Sequence, residues 1–237
     1  MTGAGDTPWQ VATVLAIRDE TPSAKTYRLA LPEAVAMRAG QHFVVRLTAP
    51  DGYQASRSYS VASAPAPEGT SEIELSVERF PDGEISTFLH DEVVVGDTLE
   101  VRGPIGGWFV WEGDVPALLV GGGSGVVPLM AMLRLARRDG LSDLLHVVVS
   151  VRTPADLYYA DELPGPETTV VYTRAAPPGS PRPPGRLTAE DLAPFVREGA
   201  TSYVCGSPAF CDAATDLLTA LAAPVDRIRV ERFGDSS

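Results

Sequence analysis

The run Ala117-Leu118-Leu119-Val120-Gly121-Gly122-Gly123-Ser124-Gly125-Val126-Val127-Pro128 constrains this sequence more than any other stretch. An apolar run ends in a glycine turn, and the apolar residues at 129, 130 and 133 that follow fall on helical spacing. The reading is a short buried strand, a tight turn and an amphipathic helix. Pro128 falls in the first helical turn, where a missing N–H costs little. Arg134, Arg137 and Arg138 are read as loading positive charge into the last turn of that helix. Glycines at such a turn let backbone N–H groups approach an anion at the helix N-terminus, so a phosphate-bearing ligand is the candidate. The plainer alternative is a strand–helix turn that needs glycine for packing. The third glycine of G-x-G-x-x-G is Val126 here, and no Lys-Ser or Lys-Thr of a P-loop follows. The turn therefore supports dinucleotide binding without matching the usual fingerprint.

Upstream of this turn the pattern is β. Trp9–Ile17, Thr26–Ala30, Gln41–Leu47, Ser58–Ala62, Ile73–Arg79 and Thr98–Arg102 are short alternating or β-branched runs, separated by turn residues such as Asp19-Glu20-Thr21-Pro22 and Pro50-Asp51-Gly52. Six strands at this spacing predict an N-terminal six-stranded antiparallel β-barrel, which removes exposed edges. One short helix is expected within it, opened by Pro81-Asp82-Gly83-Glu84 and carrying Ser86 and Thr87, a second seat for an anion.

Beyond Trp111-Glu112-Gly113-Asp114 strands alternate with helices. Strands are expected at Ala117–Val120, Leu144–Val151, Thr168–Thr173, Ser202–Cys205 and Arg227–Glu231, with helices at 126–138, 188–197 and 207–222. That alternation predicts an α/β domain with a parallel sheet covered on both faces. The division falls at residue 112, giving domains 1–112 and 113–237. A ligand between them would meet the carboxyl ends of the parallel strands.

A net charge of −12, with a single lysine at Lys25, argues against partners that need a positive field, nucleic acid and anionic membrane among them. The hydrophobic share of 44% is enough for packed cores. Only Cys205 and Cys211 are present, so a structural disulfide is not expected and a four-cysteine iron–sulfur or zinc site within this sequence is excluded. His42, His90 and His146 are scattered without metal-ligand spacing. Met1–Pro8 has neither a basic start nor an apolar run, so no signal peptide is expected, and no apolar run approaches the ~20 residues that span a bilayer. The expected setting is soluble, reducing and cytoplasmic. Trp108 and Trp111 read as packing residues.

Arg57-Ser58-Tyr59-Ser60 closes a barrel strand. Arg suits phosphate, Tyr offers a flat ring for stacking and Ser donates a hydrogen bond. Regular alternation sends Arg57 and Tyr59 to one side and Ser58 and Ser60 to the other, so a bend or bulge is needed to aim all three at one ligand.

Taken in order, Arg57-x-Tyr59-Ser60, Gly83-x-x-Ser86, Gly103-Pro104-x-Gly106, Gly121-Gly122-Gly123-Ser124-Gly125-x-x-Pro128, Cys205-Gly206-Ser207-Pro208 and Glu231-x-Phe233 span almost the whole chain. This arrangement resembles the ferredoxin–NADP reductase superfamily, the flavin and pyridine-nucleotide oxidoreductases, without an attached ferredoxin domain. The resemblance implies a reductase that takes a hydride from NADPH onto bound FAD and hands electrons to a separate acceptor. On it, Arg57 holds the flavin pyrophosphate, Tyr59 stacks on the isoalloxazine and Ser60 hydrogen-bonds near N5. Gly83, Ser86 and, more weakly, Thr87 supply donors to the same pyrophosphate. Gly121, Gly122, Gly123, Ser124 and Gly125 cradle the nicotinamide dinucleotide, with Cys205 and Gly206 beside the nicotinamide. Glu231 stands near the hydride path and Phe233 over the flavin's second face. Ser60, Cys205 and Glu231 are thereby the residues around the reacting atoms, Cys205 as packing and not as a nucleophile.

Thr173-Arg174 ends the third α/β strand and Arg152 the second, and the resemblance links such a pair, with a downstream basic residue such as Arg186, to the 2′-phosphate. NADPH is thus expected over NADH, with NADH still open, and FAD over FMN. The implied acceptor is a ferredoxin or haem protein, or a small molecule. The alternatives are an NAD(P)H flavin or quinone reductase and an electron-transfer subunit of a larger oxygenase-type complex.

Overall fold

Alternation of buried and exposed residues in the first half of the chain builds strands with one face on a core. The computed structural model describes residues 7–234, so the reading of the first residues as lacking a signal peptide lies mostly outside the described residues. Six strands, β1 (Gln10–Thr21), β2 (Ala24–Val35), β3 (His42–Thr48), β4 (Gln54–Ser60), β5 (Thr70–Glu78) and β6 (Thr98–Ile105), form one antiparallel sheet in the order β4-β3-β6-β1-β2-β5. Its two edges meet just past β4, where Val61 bridges Leu75 and the Ala62 N–H donates to the Glu74 carbonyl at 2.8 Å. The barrel closes there, at the end of the strand carrying Arg57 and Tyr59. The strands β1 and β2 run longer than the sequence suggests. Thr21 still pairs with Ala24, so the turn is only Pro22-Ser23, and Asp19–Thr21 belong to the strand. A short helix, α1 (Glu84–Asp91), lies between β5 and β6.

Five strands follow: β7 (Ala117–Gly122), β8 (Leu145–Val151), β9 (Thr168–Tyr172), β10 (Thr201–Gly206) and β11 (Ile228–Arg232). They form a wholly parallel sheet in the order β11-β10-β7-β8-β9. All of β8 and β10 is buried, as expected of strands covered on both faces. The helices are α2 (Val126–Asp139), α3 (Ala189–Leu192) and α4 (Pro208–Ala220). The short α3 replaces the helix expected over 188–197. Pro194 lacks the N–H that would continue the ladder, and the chain tightens into a 3₁₀ turn over Ala193–Phe195.

The helix α2 departs from simple amphipathicity, for Val126–Leu133 are buried all round. One face packs on the parallel sheet and the rest meets the barrel side. A single apolar cluster joins Leu129, Met130, Met132 and Leu133 to Ala24, Ala39, Ala62, Phe109 and Trp111. The two sheets therefore share a core across α2, while a separate cluster fills the barrel and another lies under α4. Trp111 is fully buried, with Nε1–H donating to the Val115 carbonyl at 2.9 Å, but Trp108 is 63% exposed and so is not the packing residue expected. Its ring lies against the Arg229 guanidinium, 5.5 Å away. Among the described residues no helix is long and apolar enough to cross a membrane.

Candidate functional site

The barrel contributes β4. Its ladder with β3 runs without a register shift from Gln54 to Ser60, so no bulge redirects its side chains. Arg57 and Tyr59 share one face, and Ser60 turns to the other, where it is buried. Arg57 is exposed, and its guanidinium touches only the neighbouring Ser56 carbonyl at 3.0 Å among the described residues. Tyr59 packs partly against the barrel core. Burial raises its phenol above the ordinary pKa, and the nearby Arg57 charge opposes that rise.

The turn before α1 is tied by its own side chains. Ser86 Oγ accepts from the Phe80 N–H at 3.2 Å and donates to the Gly83 carbonyl at 3.1 Å. A serine hydroxyl has one proton, and that of Ser86 is engaged within the loop. Thr87 Oγ1 donates to the Phe80 carbonyl at 3.4 Å. The Gly83 cap leaves the first turn of α1 without a side-chain cap, so backbone N–H groups remain available there.

The glycines of the turn differ in their surroundings. A Cβ on Gly125 would strike the backbone where β10 ends, with Gly206 N at 2.6 Å, and one on Gly122 would overlap the Phe210 ring. These are packing glycines. Gly123 differs: its φ is +54° and nothing lies within 4 Å of its Cβ position. Gly122, Gly123 and Ser124 are half-buried around this open spot, in a 3₁₀ turn feeding the uncapped N-terminus of α2. An open turn at an uncapped helix N-terminus is the kind of place where an anion can be received.

The ends of β10 and β11 lie beside that turn. Cys205 pairs with Gly121 on one side and with Glu231 on the other. Cys205 is fully buried, and burial, Glu231 and Cys211 push its thiol well above the ordinary range, which suits packing and not nucleophilic attack. Burial raises the Glu231 carboxyl to about 7, and its Oε2 is buried without a partner among the described residues. Phe233 N–H donates to the Gly206 carbonyl at 2.8 Å, which holds Phe233 against the shared core. Tyr59 and Cys205 belong to different apolar clusters, the barrel's and the shared one.

At the far edge, the Arg174 N–H donates to the Arg152 carbonyl at 2.9 Å, the Thr173 N–H to Val151 at 2.8 Å and the Gly185 N–H to Tyr172 at 2.9 Å. Arg152, Arg174 and Arg186 thus collect at one strand edge, all exposed, with no ion pair or side-chain hydrogen bond among the described residues. The neighbouring Arg182 is already committed to Asp191, at 2.7 and 2.9 Å, and to the Arg186 carbonyl at 2.7 Å.

Three features lie outside the site residues expected from the sequence. Arg134 leaves α2 for the barrel side, Tyr158 and Tyr159 are buried in the connection after β8, and a polar cavity of about 480 Å³ opens among Arg38, Glu112, Tyr203 and Arg229. The cavity lies at the amino ends of the parallel strands, away from the glycine turn. The histidines serve local contacts: His90 meets the Val77 carbonyl, and His146 meets Thr169 and stacks on Phe195.

Comparison with known proteins gives this arrangement a family. Residues 12–110 match the family of oxidoreductase FAD-binding domains and residues 119–216 that of oxidoreductase NAD-binding domains. The reductase component of propane 2-monooxygenase from Rhodococcus jostii is 31% identical over 196 residues, covering 77% of this chain and 52% of its own. The ferredoxin–NAD(P)+ reductase component of a Ralstonia naphthalene 1,2-dioxygenase/salicylate 5-hydroxylase system is 28% identical, covering 93% of this chain and 68% of its own. The crystal structure of an Amycolatopsis cytochrome P450 reductase superposes with a TM-score of 0.80 at 28% identity, covering 98% of this chain and 71% of that one. The chain belongs to the ferredoxin–NADP reductase superfamily of FAD- and NAD(P)-binding oxidoreductases. It spans about half the length of the Rhodococcus relative.

Proposed function

We propose that this chain takes a hydride from NADPH onto FAD held by the barrel and passes electrons to a separate protein, a ferredoxin or haem protein of an oxygenase system. FAD would supply an acceptor for two electrons at once that releases them singly. The residues present fit it. Arg57 offers a free guanidinium for phosphate, Tyr59 a ring on the same face, and the uncapped α1 turn backbone donors. Residues up to 112 form the flavin half and those from 113 the nucleotide half. On the nucleotide side the Gly123 opening and the N-terminus of α2 receive pyrophosphate, while Arg152, Arg174 and Arg186 receive a 2′-phosphate.

The observation that carries this reading is the Cys205–Glu231 pair beside the glycine turn, with Cys205 part of the core shared with the barrel. Buried Cys205 walls the site against water, and Glu231 holds a proton at a carboxyl that titrates near neutrality. The protein's share of hydride transfer is then orientation. The names of the relatives support an acceptor within an oxygenase system, and the free thiols of both cysteines support a reducing, cytoplasmic setting.

Anaerobic stopped-flow tests it. The FAD-loaded protein mixed with NADPH is expected to bleach and then to reoxidise on mixing with a ferredoxin or haem acceptor. Absence of bleaching with both NADPH and NADH would overturn the reading. Bleaching followed by fast turnover of quinones alone would favour the small-molecule reductase.

A further inference from the structure

The helix that starts at the glycine cradle is fastened to the barrel side by two guanidinia, and that of Arg134 carries most of the bonds. Arg134 lies eight residues beyond Val126, about 12 Å along α2 at ~1.5 Å per residue. Its Nη1 donates to Glu74 Oε2 on β5 at 2.6 Å and to the Ala62 carbonyl at 3.0 Å. Ala62 is two residues past Ser60, at the spot where the barrel closes. The other edge of the fork goes to Glu162 in the connection from β8 to β9, Nε to Oε2 at 2.9 Å and Nη2 to Oε1 at 2.6 Å. The side chains of Arg134 and Glu74 are 17% and 23% exposed, so the pair is largely shielded from water.

The same connection returns to the barrel by a second route. The Arg134 guanidinium lies over the Tyr159 ring, 5.2 Å from its centre. Tyr159 is fixed at both ends: its OH meets Ser76 Oγ on β5 at 2.5 Å, and its N–H donates to Glu20 Oε2 on β1 at 3.0 Å. Its φ of +52° is a conformation that a tyrosine keeps only when its surroundings hold it. Arg138 adds a bond to the Pro65 carbonyl in the loop after β4. The contacts form a closed ring of α2, the β8–β9 connection and the barrel.

We infer that Arg134 is a positioning residue, setting the nucleotide cradle at the head of α2 against the flavin strand β4. This rests on the function proposed above. The physical need is clear: transfer between two bound rings depends steeply on separation, and a misplacement of about 1 Å costs about 100-fold. The apolar core between barrel and α2 permits sliding, because dispersion contacts are not directional. A guanidinium shared by two carboxylates and a carbonyl has one satisfactory geometry. A lysine could not span all three acceptors.

The test uses the full FAD-loaded chain with Arg134→Gln, Arg134→Lys and Glu74→Gln, and Arg46→Gln as a control whose partner Glu100 lies in the same barrel sheet. In stopped-flow with NADPH, the limiting rate of flavin bleaching is expected to fall tenfold or more in Arg134→Gln and Glu74→Gln. The NADPH concentration for half-maximal rate should stay within twofold, and Arg134→Lys should recover little of the rate. Hydrogen exchange without nucleotide is the second readout. Amides of β5 and of residues 154–163 should exchange faster in both variants, with β7 and β8 unchanged. Arg46→Gln should match the wild type in both measurements. Limiting rates within twofold of wild type in both Arg134→Gln and Glu74→Gln would overturn the inference, as would acceleration of exchange across both sheets alike. If the wild type itself is not bleached by either coenzyme, the functional reading falls and this one with it; a bleached wild type with unaffected variants overturns only this one.

Discussion

Cys205 and Glu231 are direct register partners at the carboxyl ends of β10 and β11, and the second carboxylate oxygen of Glu231 is buried beside that thiol with no hydrogen-bond partner among the described residues. A carboxyl in such a place prefers its neutral form, which is why burial lifts Glu231 to about 7.

The first prediction follows by linkage. The unfolded chain releases the Glu231 proton near the ordinary carboxylate value, whereas the native chain keeps it to about pH 7. Between those values the native state binds more protons, so stability falls as pH rises and levels off above 7. The Glu231 contribution is on the order of 3 kcal/mol over that window. In Glu231→Gln it is absent. Melting temperatures of both proteins at pH 5 and pH 8 should show the variant gaining on the wild type at the higher pH. An equal gap at the two pH values would count against a raised Glu231.

Two glycines separate packing from binding. Gly125→Ala drives a Cβ into the backbone of Cys205 and Gly206, overpacking of a kind that costs ~1–3 kcal/mol and should lower the melting temperature by several degrees. Gly123→Ala meets no neighbour, and its fold penalty is the ~1–2 kcal/mol of a left-handed alanine. Its methyl enters the open cradle, so NADP+ affinity, measured by titration calorimetry, should fall at least tenfold. Equal effects of the two substitutions on both quantities would show that the cradle is misassigned.

The flavin side has its own test. Arg57 is exposed and bonded only to the adjacent carbonyl among the described residues, so Arg57→Ala should leave the melting temperature of the flavin-free protein within about 2 °C, since exposed sites rarely matter beyond ±0.5 kcal/mol. A charge-assisted bond to phosphate is worth ~1.5–3 kcal/mol, so FAD should dissociate roughly 10- to 100-fold more readily. Fluorescence of released FAD reads this directly, and undiminished FAD retention would remove Arg57 from the site.

The fold was legible because its signals are local and repeated. Alternating strands, a glycine turn and continuous apolar runs place the eleven strands of the described residues, and the Arg57, Gly121 and Cys205 motifs stand where strand ends put them. The missing part is long-range. Arg134 looks like a charge for the helix C-terminus, but it lies mid-helix and its partners Glu74 and Glu162 are 60 and 28 residues away in sequence. No spacing rule finds such partners. Ser86 matches a motif, yet whether its proton faces outwards or back to Gly83 depends on loop geometry that composition does not encode. Trp108 and Trp111 sit three apart, and only the tertiary fold makes one buried and the other exposed.

The proposed preference for NADPH turns on the edge formed by Arg152, Arg174 and Arg186. Their backbones are tied by the Arg174-to-Arg152 and Gly185-to-Tyr172 hydrogen bonds, while the three guanidinia stay free among the described residues. Nearby Arg182 is occupied by Asp191, so it stiffens the proline-rich loop that presents Arg186 and does not compete for a ligand. A 2′-phosphate brings two negative charges to this edge, and a bare ribose brings none. Arg174→Ala should therefore lower kcat/KM for NADPH roughly 10- to 100-fold, the equivalent of ~1.5–3 kcal/mol for a lost charge-assisted bond. The value for NADH should stay within about twofold, as no charge is there to lose. Raising the salt concentration should shrink the NADPH advantage of the wild type, because exposed pairs are screened within ~10 Å at 0.1 M ionic strength. An equal loss with both coenzymes would assign Arg174 to the scaffold of the strand edge. A wild type that turns over NADH as well as NADPH would reject the 2′-phosphate site altogether.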